Sequence, residues 1–116
     1  MTRAMSTPNS NQRPPVNVYA ASGQLSVALP IPGAHADHTQ VTVAADRIHV
    51  LAECKYAQDQ QHFLQREWQV GAFELDLQLP QRVDPERSKA MLNLGVLTVM
   101  APISEDGQGE RHVPVE

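Results

Sequence analysis

Apolar residues recur at every second position through short stretches of this sequence. They are Val16 and Val18; Leu25, Val27 and Leu29; Val41 and Val43; Ile48 and Val50; and Phe73, Leu75, Leu77 and Leu79. Successive side chains of a strand point to opposite faces, so this spacing predicts strands with one face in a core and one in water. Turn formers interrupt the stretches at Ser22-Gly23, Pro30-Ile31-Pro32-Gly33, Ala45-Asp46, Gly71, Pro80 and Gly95. No long window carries a 3.6-residue stripe. Short strands patterned this way predict an all-β sandwich, two antiparallel sheets burying their inner faces against each other.

Size and composition fit that expectation and exclude several others. The 116 residues suit one domain, which buries roughly 60 to 70% of the surface its unfolded chain exposes. Apolar residues make up 41% of the chain but aromatics only 4%, so valine and leucine must fill the core. A formal net charge of -4, with no basic stripe, speaks against nucleic acid and acidic lipid as partners. Cys54 is the only cysteine, which excludes an internal disulfide and a cysteine-rich zinc site and suits a reducing compartment. MTRAMSTPNSNQRPP contains no apolar signal core, and no stretch approaches about 18 apolar residues. The expected location is the cytoplasm, with no membrane association evident. Neither G-x-x-x-x-G-K-[ST] nor a strand-borne G-x-G-x-x-G occurs, so no nucleotide or other cofactor is implied.

Three segments fall outside the alternation. Residues 1–14 are rich in Ser, Asn, Gln and Pro and read as a flexible arm. Residues 56–62, YAQDQQH, read as an exposed loop between a strand ending near Cys54 and another beginning near Phe63. Ile103 to Arg111 contains Gly107, Gly109 and acidic residues and reads as a mobile tether, beyond which lie Val113, Pro114 and Val115. Two valines flanking a proline, placed after so polar a run, call for a binding place elsewhere.

Several blocks match one known pattern in order and spacing. They are Pro32-Gly33 after the second strand, the E-x-x-x-G-x-F run from Glu67 through Gly71 to Phe73, the strand end Leu79-Pro80, and the A-x-x-x-x-G-V-L block Ala90, Gly95, Val96, Leu97 before a last strand from Leu97 to Met100. On these residues the chain resembles the α-crystallin domain of the small heat-shock proteins (Hsp20 family). The resemblance covers residues 15–102 and implies an immunoglobulin-like β-sandwich. It leaves 103–116 as a flexible C-terminal extension in which Val113-Pro114-Val115 is similar to the family's I/V-x-I/V docking motif. By the same resemblance, the docking groove lies between the strand carrying Val41 and Val43 and the one carrying Ala90 and Leu92.

The function that the resemblance implies is an ATP-independent holdase and not an enzyme. Such a chaperone binds partly unfolded client proteins and assembles with itself, as a dimer and as a higher homo-oligomer. The physics of the clip agrees. Proline holds φ near -65° and keeps the flanking residues extended at reduced ordering cost. Burying two valines contributes about 3 to 6 kcal/mol, against roughly 1 to 2 kcal/mol for each backbone residue ordered. One dock is weak and reversible, and several engaged together make a stable assembly.

The chain departs from the family pattern at three places. Leu75 stands where an arginine usually supports the dimer contact, and it completes the apolar row from Phe73 to Leu79. The N-terminal arm is short, with Met1 and Met5 as its main apolar residues, which points to smaller oligomers or a weaker holdase. Asn93-Leu94-Gly95 replaces a common Asn-Gly turn.

Other constellations have plainer readings. His35, Asp37 and His38 carry zinc-ligand chemistry, but three groups within four residues do not close a tetrahedral site without distant help, and a solvated turn accounts for them. His49 reads as a strand residue and His62 as a loop residue. Cys54 has Lys55 beside it but no evident base, and reads as a small semi-buried side chain. Arg66 and Glu67, adjacent on an expected strand, face opposite ways and would pair elsewhere. Trp68 reads as a packed edge residue or a client anchor. Two rival functions remain: a monomeric p23-like co-chaperone with the same sandwich, and a small metal-dependent hydrolase using His35 and His38.

Overall fold

Alternating burial along each strand produces two layers. The computed structural model describes residues 11–54, 61–68 and 71–116. Its strands are β1 (Asn17–Ala21), β2 (Gln24–Pro30), β3 (Thr39–Ala44), β4 (Arg47–Ala52), β5 (Phe73–Gln78), β6 (Lys89–Asn93), β7 (Val96–Pro102) and β8 (Glu110–Val113). One sheet has the order β1-β2-β7-β6 and the other β5-β4-β3-β8. All the strand pairs within the two sheets are antiparallel. The all-β sandwich expected from the alternation, immunoglobulin-like by the resemblance, is the observed fold.

The period-two residues supply the inner faces. Leu25, Val27 and Leu29 of β2 sit opposite Ala101, Val99 and Leu97 of β7, and all six are buried. Val41 and Val43 of β3, Ile48 and Val50 of β4, and Phe73 and Leu75 of β5 form the facing layer. Each such side chain contributes roughly 1.5 to 3 kcal/mol on leaving water. Leu75, the residue in the arginine's place, is fully buried and lies opposite Val50. It therefore points into the sandwich.

The structure differs from the sequence reading in four respects. Within 103–116, Glu110–Val113 is a strand paired with β3, so this stretch is ordered where a tether was expected. The strand expected at Leu97 to Met100 runs from Val96 to Pro102 and is followed by β8. No strand begins near Phe63 among the described residues. Trp68 is 59% exposed, more open than the packed edge residue expected.

The arm is tied down where it is described. Gln12 donates its backbone N–H to the Ala72 carbonyl at 2.8 Å and accepts from the Glu74 N–H at 2.8 Å, and Pro14 is buried. Met1, Met5, residues 56–60 of the YAQDQQH loop, Lys55, Gln69 and Val70 lie outside the described residues.

Candidate functional site

The two sheets leave a slot between β3 and β6, and residues 110–116 fill it. Backbone pairing lays β8 along β3, with Val41 opposite Val113, Thr42 opposite His112 and Val43 opposite Arg111. Past Pro114 the chain crosses to the other sheet, where Val115 bridges Ala90 in the parallel sense. Glu116 donates its N–H to the Ala90 carbonyl at 3.0 Å and accepts from the Leu92 N–H at 2.8 Å. One extended segment thus satisfies the edges of both sheets. Side chains along it alternate: Val113 is buried at 5% exposure, Val115 is packed partly against the core, and His112 and Pro114 face outward.

All seven residues expected for docking motif and groove meet here: Val113, Pro114 and Val115 with Val41, Val43, Ala90 and Leu92. They meet within one chain. Two side-chain contacts add to the hold. Arg111 Nη1 donates to the Ser88 carbonyl at 2.6 Å, and Thr42 Oγ1 lies 3.0 Å from His112 Nδ1.

The remaining motif residues shape the ends of the sandwich. Pro32-Gly33 forms a turn that sits against the β6–β7 hairpin: Ile31 donates its N–H to the Gly95 carbonyl at 2.8 Å, and a side chain at Gly95 would meet the Pro32 Cα at 3.6 Å. Val96 flanks this hairpin at 41% exposure, whereas Leu97 is buried. Gly71, at φ 138°, admits the turn into Phe73. Leu79-Pro80 ends β5, with the Leu79 N–H bonded to the Asp46 carbonyl.

An ionic row crosses the outer face of the β5-β4-β3-β8 sheet. Arg47 Nε donates to Asp76 Oδ1 at 2.7 Å, and His49 Nε2 contacts Glu74 Oε2 at 2.8 Å. The Arg47 hydrogen bond, aided by its charge, holds the Asp76 carboxyl below its ordinary range. Hydrogen bonds from His49 and then Asn11 do the same for Glu74.

The candidate metal ligands do not converge. His35 Nδ1 and Asp37 Oδ2 are 3.8 Å apart, the His35 and His38 rings are 6.4 Å apart, and Ala36–His38 forms a single 3-10 turn. Among the described residues no group of three His, Cys, Asp or Glu side chains is placed to hold a metal. His49 lies in β4, His62 is exposed and Cys54 is buried. Arg66 stacks over the Phe63 ring at 4.8 Å, and Glu67 accepts from Gln65.

Sequence reading missed the turn that introduces β6 and the one that introduces β8. Asp84 caps the 3-10 turn Pro85–Arg87 by accepting from the Glu86 N–H at 3.1 Å. Asp followed by Pro was the available signal. Gly107 is pressed against Val83, and no local signal announces that contact.

The profile of the Hsp20/alpha crystallin family matches residues 18–116. This chain belongs to that family. Among curated proteins, an 18 kDa heat shock protein of Streptomyces albus G is 27% identical over 125 residues, covering 97% of this chain and 87% of its own length. Of the solved structures, heat shock protein 16.0 from Schizosaccharomyces pombe superposes with a TM-score of 0.70 at 22% identity, covering 89% of this chain and 75% of that one. The hspA of Xanthomonas axonopodis gives 0.71 at 20% identity, covering 81% and 96%. At these identities the structures share the fold. The Hsp20 family is one of small heat-shock chaperones, which are not enzymes, and no helix among the described residues is long and apolar enough to cross a membrane.

Proposed function

We propose that this Hsp20 protein is an ATP-independent holdase of the cytoplasm that takes up partly unfolded proteins and assembles into homo-oligomers. The supporting observation is the slot between β3 and β6, which accepts an extended strand through backbone hydrogen bonds and two apolar side chains. Backbone bonding to a sheet edge is indifferent to sequence, and apolar pockets select strands that a folded protein would hide. Partly unfolded clients expose such strands, and so does the tail of a sister chain. In an assembly the contacts seen within one chain are exchanged between copies, since an exchanged element keeps its interface.

A second surface suits clients. The outer face of the β1-β2-β7-β6 sheet exposes Tyr19, Met91 and Val96, single apolar side chains on which a client's apolar segment can rest. The test is a heated client in the absence of nucleotide. Sub-stoichiometric protein should suppress its light scattering, and scattering unchanged at equal mass refutes the holdase.

The p23-like reading takes support from the tail being seated within its own chain. A single 12.8 kDa species by gel filtration, indifferent to generic clients, would favour it.

A further inference from the structure

The path of the chain into β8 holds more than a flexible tether would. Ile103 donates its N–H to the Gly23 carbonyl, Ser104 to the Arg82 carbonyl and Gly107 to the Ser104 carbonyl. Gly107 is buried, and a Cβ there would stand 1.8 Å from the Val83 carbonyl oxygen. Only a residue without a side chain fits. Arg82 then closes over the turn, its Nε donating to the Gly107 carbonyl at 2.7 Å. Between this clasp and the first residue of β8 stand Gln108 and Gly109. Three peptide steps reach about 11 Å. While the clasp is shut, β8 begins within about 11 Å of Gly107, which keeps it in reach of the β3 strand it pairs with.

We propose that Glu110–Glu116 is an intramolecular strap, committed to its own groove by the Arg82–Gly107 clasp, and that the tail of a second copy enters only when the strap lifts. The proposal rests on the groove being the assembly site. The strap competes as a tethered ligand. A short connection confers an effective concentration in the millimolar range, whereas a free tail must bind from solution. Apparent affinity for a second tail falls by the fraction of grooves left open. The guanidinium–carbonyl bond of the clasp is not one of the strand-pairing bonds, so its loss leaves both sheets paired. The resting chain keeps two sheet edges covered, and release exposes the groove and the clip together.

Cysteine pairs separate a strap from an exchanged tail. In a Cys54→Ala background, Thr42→Cys and His112→Cys place thiols at directly opposed positions of β3 and β8. On oxidation the double variant should close within one chain and keep its single-chain mass on a non-reducing gel. An equimolar mixture of the two single variants should give few covalent dimers. If that mixture cross-links as readily as the double variant closes, the strap is refuted, even though the assembly reading survives.

Affinity provides the second measurement. The probe is a fluorescent peptide of residues 110–116, titrated into full-length protein. Disulfide closure should abolish binding. Arg82→Ala and, separately, the full chain with Val113→Ser and Val115→Ser should bind the peptide at least about tenfold more tightly than the parent. Equal affinity across parent, locked and released chains overturns the proposal. Loss of oligomer mass is read independently by light scattering and bears on the assembly alone.

Discussion

Leu94 stands in the left-handed region at φ 53°, beside Gly95 at φ 80°. A two-residue hairpin loop with both residues at positive φ matches the twist of its strands, but it favours Asn-Gly. Leucine strains there, and its side chain is 95% exposed, so it gains no packing in return. Leu94→Asn should therefore stabilise the protein by about 0.5 to 1 kcal/mol, seen as a higher denaturant midpoint with an unchanged slope. At Gly107 the expected change has the opposite sign. Gly107→Ala drives a methyl group into the Val83 carbonyl and should cost about 1 to 3 kcal/mol, read in the same experiment.

At the scale of the element, β8 is a strand held by few apolar atoms. Val113→Ala removes two buried methyl groups and should cost about 1 to 2 kcal/mol. Hydrogen exchange at the Thr42 to Ala44 amides should quicken if that strand loosens. The neighbouring strands carry a pH dependence. Asp76 and Glu74 have depressed carboxyl pKa values, caused first by Arg47 and His49 respectively. Their pairs support the fold above the ordinary carboxylate range, and that support is lost as pH falls through the lowered values. Both pairs are exposed and screened, so the effect is small. Asp76→Asn should flatten the fall in Tm below about pH 5, and an acid limb unchanged from the parent would show that the Arg47 pair contributes nothing.

For the whole molecule, the groove and the clip form one system. Removing residues 112–116 takes Val113 and Val115 from the slot. The solution mass by light scattering should drop if exchanged tails hold copies together, and unchanged mass would assign assembly to other contacts. Leu75 is fully buried opposite Val50 of β4, so at this position the chain offers core packing and no charged group.

Strand positions were readable because their cause is local. Val41, Val43, Ile48 and Val50 alternate in the sequence as they do across the sheet, and Ser22-Gly23 and Ala45-Asp46 turn where they must. The docking residues were readable as chemistry, a proline between two valines beside a polar run. Their destination was not. Glycine at 107 looks like any linker glycine until Val83 and Arg82 arrive from elsewhere in the chain, and polar residues from 104 to 112 look mobile until a sheet edge offers hydrogen bonds. Alternation and turn chemistry, acting between neighbours, determined the sandwich and the clip. Contacts between residues distant in sequence, with close packing at Gly107 and an open edge on β3, decided that the clip lies in the chain's own groove.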